Sequence, residues 1–238
     1  MLIGKKITKK YRGVEILKGI DIKVEPGKIT SLIGPSGSGK TTLLRVLSML
    51  ELPDTGSIFL DSEKYNFPVQ PNEIIPPWPR VSVVFQQLFL WPHLTLRQNI
   101  LLPLKGVKDE QHINELIKIL QMEEFINRYP NQVSLGQRQR VALARALALN
   151  PEYLLLDEIT SALDVEQVNI ILNHLQTLKD KGVGILIVTH LLNFAQRASD
   201  QIVFLDEGRI IEIGGKEILE KPKHERIQKF LSIVKAAT

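Results

Sequence analysis

Gly34-Pro35-Ser36-Gly37-Ser38-Gly39-Lys40-Thr41, followed by Thr42, decides how this 238-residue chain is to be read. The stretch fits G-x-x-x-x-G-K-[ST], the pattern of a loop that wraps phosphate groups. Its flanks agree. Ile29-Thr30-Ser31-Leu32-Ile33 has the length of a buried strand, and Leu43-Leu44-Arg45-Val46-Leu47 reads as a helix. A strand feeding a Gly-rich turn and then a helix aims several backbone N–H groups, and the helix's positive end, at one point. Glycines let the backbone close on a di- or triphosphate without Cβ clashes. Lys40 is expected to set its charge near the outer phosphates, and the Thr41 hydroxyl to take a place on Mg²⁺. The competing reading, a solvated Gly/Ser-rich turn, does not explain the flanks.

Working outward, Tyr153-Leu154-Leu155-Leu156 is a continuous apolar run that ends in Asp157-Glu158, and Gly184 to Thr189 repeats the design and ends at His190. Such runs suit parallel strands buried on both faces, and their carboxyl ends are where open α/β sheets bind ligands. Residues 165–179 between them read as a helix, which completes a strand–helix–strand unit. Upstream, Ile20-Asp21-Ile22-Lys23-Val24 alternates with period two, Pro26-Gly27 makes a turn, and Gly56 to Asp61 is another strand. These predict an antiparallel sheet beside the loop-bearing strand. Tyr11 on this segment is either packing or a ring able to stack on a flat heterocycle.

Residues 67–79 hold five prolines and predict a stiff, extended surface loop. Val81 to Phe85 resumes as a strand ending at Gln86-Gln87. The Phe89-Leu90-Trp91-Pro92-His93 cluster after it is either a local core or an exposed patch that docks a partner. Helical spacing then dominates from Thr95 to Asn150, with Ile113, Leu116, Ile117 and Leu120 on one face. Ser134 and Gln137 are spaced as a capping box that opens a helix running to Asn150-Pro151. Residues 202–213 read as a hairpin, and 221–235 as a basic amphipathic helix.

The totals narrow the classes. Hydrophobic residues make up 44% and charged residues 24%, ordinary for a globular chain, and cysteine is absent, which rules out disulfides and thiolate metal sites. The start lacks a signal-peptide core, and no apolar run approaches the roughly 20 residues of a membrane helix. A net charge of +4 is too mild to imply a nucleic-acid surface, so no nucleic-acid partner is expected.

The order of the motifs carries a resemblance. The phosphate loop, Gln86 after a strand, the Ser134-Leu135-Gly136-Gln137 helix start, Asp157-Glu158, Ser161-Ala162-Leu163-Asp164 and Thr189-His190 follow one another as in ATP-binding cassette ATPases. The chain resembles that family over essentially its whole length. Val84-Phe85-Gln86, Trp91-Pro92-His93, Phe204 to Gly208 and Pro222-Lys223-His224-Glu225-Arg226 resemble the branch that energises bacterial uptake of polar amino acids. The resemblance implies an α/β P-loop NTPase core with a mainly parallel sheet, an antiparallel β-subdomain and an inserted helical subdomain. Residues 1–90 and 151–238 would form the core and 91–150 the helical part.

It also implies roles. Tyr11 would stack on adenine, and Gly34 to Thr42 would hold the ATP phosphates. Asp157, with Thr41 and Gln86, would hold Mg²⁺. Glu158 would act as general base, with Gln86 and His190 placing the water and the γ-phosphate. Ser134, Leu135, Gly136 and Gln137 would reach the nucleotide of a second subunit, with Asp164 joining the two sites. The partners implied are a second cassette, membrane permease subunits docking between Gln86 and Trp91, and a solute-binding protein. The place implied is the cytoplasmic face of the bacterial inner membrane. The same motifs would serve an exporter or lipoprotein-releasing cassette, or a nucleotide-gated module that does not hydrolyse.

Two residues depart from the family pattern. Leu135 stands where the signature Leu-Ser-Gly-Gly-Gln has its first glycine, and Leu191 follows the histidine where an acid is common. If position 135 needs positive φ or close nucleotide approach, leucine would cost about 1–2 kcal/mol and weaken hydrolysis.

Overall fold

The computed structural model describes residues 1–70, 74–104, 109–159 and 165–237. The chain opens with β1 (Leu2–Tyr11) and β2 (Val14–Val24), then β3 (Ile29–Ile33) and α1 (Lys40–Leu47). Next come β4 (Thr55–Leu60), β5 (Glu63–Phe67) and β6 (Val81–Val84). A helical stretch follows, with α2 (Leu96–Leu101), α3 (Glu110–Ile119) and α4 (Leu135–Leu147). The chain then alternates through β7 (Tyr153–Asp157), α5 (Val165–Asp180), β8 (Gly184–Val188), α6 (Leu192–Ala198) and β9 (Gln201–Asp206). It closes with β10 (Arg209–Gly214), α7 (Glu217–Glu220) and α8 (Glu225–Ala237).

Two sheets result. One is antiparallel with order β2-β1-β4-β5; the other has order β10-β9-β3-β8-β7-β6. In the second, β6, β7, β8, β3 and β9 are parallel and only β10 is antiparallel. Every residue of β3, β7 and β8 is buried, which is why none of them alternates between apolar and solvated positions. Register then fixes the site. Val84 pairs with Leu156, Leu156 with Ile187, and Asp157 with Val188. The segments carrying Gln86, Glu158 and His190 therefore leave the sheet at the same carboxyl edge, beside the strand that runs into Gly34. The fold is the expected P-loop NTPase architecture, with a mainly parallel sheet, an antiparallel sheet and helices inserted between β6 and β7.

Those inserted helices share a core with the sheet. Ile113, Leu116, Val141 and Leu143 belong to one buried cluster with Val84, Leu154, Leu156 and Ile185. Among the described residues no helix is long and apolar enough to cross a membrane.

Two expectations change, and one pair of open alternatives is decided. The stretch 67–79 is not loop throughout, because Phe67 ends β5 and pairs with Gly56. Among its prolines Pro71 lies outside the described residues. The C-terminal helix starts at Glu225 rather than 221, after the separate turn of α7. Phe89 and Trp91 are 62% and 51% exposed, so they form surface rather than a local core.

Candidate active site

Helix α1 begins inside the loop at Lys40, with Gly39 as its N-cap at φ 104°. Gly34 and Gly37 also have positive φ, at 151° and 78°. A Cβ on Gly34 would lie 2.0 Å from the Leu205 carbonyl oxygen, so glycine is required there by space as well as by torsion. Lys40 is buried, and its Nζ donates to the carbonyls of Gly34 and Pro35 at 2.9 and 2.7 Å. The ammonium is thus turned onto its own loop. Burial holds its pKa below the usual lysine range, against the opposing pull of Glu158, Asp157 and Asp206. Ser38 is buried, and its Oγ finds no hydrogen-bond partner among the described residues.

The loop forms one wall of a cleft of about 680 Å³. Gly34, Ser36, Gly37, Gly39, Lys40, Thr41 and Thr42 line it, and so do Tyr11, Gln86, Glu158 and His190. Tyr11 is 38% exposed, donates its hydroxyl to Glu51 Oε2 at 2.5 Å, and carries Lys9 Nζ 5.5 Å from its ring centre. Glu158 sits one residue past β7 at φ 51°, and its N–H donates to the Val188 carbonyl at 2.9 Å. A non-glycine residue held in the left-handed region marks a place where packing overrides backbone preference. His190 Nδ1 lies 3.5 Å from Glu158 Oε1, with the histidine 52% and the glutamate 24% exposed. Leu191 follows His190 in the chain. It packs against the main core cluster, and its N–H donates to Thr189 Oγ1 at 3.0 Å.

An adjoining cleft of about 510 Å³ takes in Thr41, Gln86 and Asp157. The Thr41 hydroxyl donates to Asp157 Oδ1 at 3.3 Å. Burial raises the Asp157 pKa, and the Thr41 hydrogen bond partly offsets that. Hydroxyl, carboxylate and amide oxygens with one buried acid suit a hard cation that keeps waters and phosphate oxygens in its shell. The donor set therefore fits Mg²⁺.

Ser134 caps α4 in the expected box. Its Oγ accepts from the Gln137 N–H at 3.2 Å, and its own N–H donates to Gln137 Oε1 at 2.9 Å, an arrangement worth about 1 kcal/mol. Ser134 and Leu135 are exposed and Gly136 is buried, yet none of the four signature residues lines either cleft. Leu135 is the first helical residue and is absent from the positive-φ positions, so the expected backbone strain does not exist there. What remains of the departure is an exposed side chain on a helix N-terminus. Asp164 lies outside the described residues.

Sequence reasoning missed several lining residues, Arg45 and Ile16 among them. Arg45 sits one turn after Thr41 in α1, lines the second cleft and stands 5.8 Å over the Phe85 ring; its i+4 spacing could have placed it on that face. Ile16 lines the first cleft from β2 of the other sheet, which no local pattern announces.

Residues 17–161 match the family described as ABC transporter. The chain is 41% identical to the L-cystine import ATP-binding protein TcyC of Bacillus subtilis (strain 168), covering 98% of each chain. It is 38% identical to the glutamine transport ATP-binding protein GlnQ of Escherichia coli (strain K12), covering 98% of this chain and all of that one. A dimeric bacterial ABC transporter cassette of known structure superposes with a TM-score of 0.83 at 33% identity, over 91% of this chain and 99% of that one. The same cassette in a dimeric post-hydrolysis state bound to ADP and Pi gives 0.82. With its phosphate loop, its acidic strand end and its full-length likeness to these proteins, the chain belongs to the ABC transporter family as one of its ATP-hydrolysing subunits.

Proposed function

We propose that this chain energises uptake of polar amino acids through a separate membrane permease, by ATP-driven pairing of two copies. The observation that carries the pairing is the division of the site. The phosphate loop, Asp157, Glu158, Gln86 and His190 meet at adjoining clefts, while the exposed, serine-capped N-terminus of α4 stays outside both. Such a terminus attracts an anion, and a second copy's γ-phosphate is the anion the dimer would bring.

In this reading Tyr11 stacks on adenine, and the residues from Gly34 to Thr42 hold the phosphates, with Lys40 exchanging its two carbonyl partners for outer phosphate oxygens. Thr41, Asp157 (through water) and Gln86 would hold Mg²⁺, which supplies charge neutralisation to the phosphate oxygens. Glu158 takes the proton of the attacking water, and His190, next to it, orients that water and the γ-phosphate. The partner's Ser134, Leu135, Gly136 and Gln137 close the site, and Asp164 links the two sites. Phosphoryl transfer asks chiefly for this positioning and charge balance.

Residues 1–90 and 151–238 would act as the nucleotide-binding core and 91–150 as the helical unit that moves the signature. Permease subunits would dock between Gln86 and Trp91, where Phe89 and Trp91 are exposed. A solute-binding protein would complete the complex, and this chain would sit peripherally at the cytoplasmic face of the bacterial inner membrane. The relatives named for cystine and glutamine support the solute class. Reconstitution with the permease in proteoliposomes should give ATP-dependent accumulation of cystine, glutamine or arginine. ATP-driven extrusion, or ATPase activity without flux of any amino acid, would refute import.

Because Leu135 carries no backbone strain, its effect reduces to bulk in front of the facing nucleotide. Leu135→Gly is expected to raise turnover of the assembled complex by about two- to tenfold. A steady-state ATPase rate equal to wild type would show that the leucine is tolerated.

A further inference from the structure

The turn between β9 and β10 is built against the phosphate loop. Glu207 and Gly208 both have positive φ, 46° and 75°, as a two-residue hairpin turn requires. The Gly208 N–H donates to the Ser38 carbonyl at 3.1 Å, and Gly34 lies directly on the Leu205 carbonyl. Asp206, the last residue of β9, is 5% exposed. Its Oδ1 accepts from the Glu207 N–H at 3.0 Å, and its Oδ2 accepts from Arg226 Nε.

Arg226 ends the Pro222–Arg226 motif, which the phosphate chemistry does not use, and stands in the first turn of α8. That helix is seated by Ile227 and Leu231 in a cluster with Ile33, the residue before Gly34, and with Phe204. The Phe230 ring meets Phe204 edge-on at 5.2 Å. A buried carboxylate thus lies in the turn that supports the anion-binding loop, and a guanidinium from the C-terminal helix pairs with it. The carboxylate's field reaches Lys40.

We propose that Arg226 is a positioning residue for nucleotide binding: paired with Asp206, it cancels a negative charge under the phosphate loop. This rests on the phosphate-loop reading above. Removing one member of such a pair leaves the buried partner uncompensated. Here the orphan would be an anion beside the polyphosphate, and the repulsion would fall on binding rather than on the chemical step. The exposed half of Arg226 is screened by solvent; the charge that matters is that of Asp206, whose side chain is 7% exposed.

Equilibrium titration with ADP tests the idea without hydrolysis. Arg226→Gln should weaken ADP by about five- to tenfold, while Arg226→Lys, which keeps the charge, should stay within about twofold of wild type. The double variant Arg226→Gln, Asp206→Asn should recover to within about twofold, because the orphan charge is gone. A brace acting through structure alone would leave the double variant as weak as Arg226→Gln. That result, or unchanged affinity in Arg226→Gln, overturns the proposal. Should Arg226→Gln fail to fold, Asp206→Asn alone reads the same charge. It should bind ADP at least as tightly as wild type, and weaker binding would overturn the proposal. Absence of ADP binding by wild type would instead strike the phosphate-loop reading.

Discussion

Alanine at Gly34 is expected to cost about 3 kcal/mol of folding stability and to abolish tight nucleotide binding. The new Cβ would stand 2.0 Å from the Leu205 carbonyl oxygen and 3.1 Å from its carbon. Both are backbone atoms of β9, which is hydrogen-bonded into the sheet beside β3 and cannot turn aside as a flexible side chain would. Relief requires parting the first residue of the phosphate loop from the strand that supports it. Gly37→Ala is the matched control. Its φ is 78°, but nothing lies within 4 Å of the added carbon, so only torsional strain of about 1 kcal/mol is expected. Urea unfolding of the nucleotide-free proteins separates the two. Equal midpoints for Gly34→Ala and wild type would show that the loop does not rest on β9.

Glu158→Gln is expected to lower ATP turnover by about 10²- to 10⁴-fold while leaving ATP binding intact. The substitution keeps the shape of a side chain held at φ 51° beside His190, and removes its negative charge together with its capacity to take a proton. Neither Glu158 nor His190 belongs to the loop that cradles the phosphates. Affinity should therefore stay within a few-fold of wild type, and loss of the negative charge would if anything favour the polyphosphate. Single-turnover kinetics with radiolabelled ATP read both quantities. Turnover within tenfold of wild type would remove Glu158 from the role of base.

Much of the site was legible because its chemistry sits at strand ends. Asp157-Glu158 and His190 each close a mostly apolar run, and Gln86 follows a third; a parallel sheet brings such ends together whatever the intervening helices do. The signature helix was legible through Ser134 and Gln137, since a capping box is a contact between residues three apart. What escaped notice depends on residues far apart in the chain. Ile16 reaches the cleft from the antiparallel sheet. Arg145 donates to the carbonyls of Leu88 and Phe89 at 2.7 Å each, tying α4 to the segment after Gln86. Strand β5 was hidden because Glu63-Lys64-Tyr65-Asn66-Phe67 buries only its last residue. An edge strand needs little more than a neighbour's backbone to pair with. The backbone-strain half of the concern over Leu135 fell away for a related reason: a glycine in a family signature suggested positive φ, but the position is an ordinary first residue of a helix.

The central claim is that the phosphate loop is half of a composite site whose other half is the Ser134 helix of a second copy. Size-exclusion chromatography of Glu158→Gln with light-scattering detection tests it most directly. With ATP and Mg²⁺ the variant should elute at twice the mass of a single chain, and with ADP, or without nucleotide, as a monomer. A single-chain mass at saturating ATP would contradict the composite site.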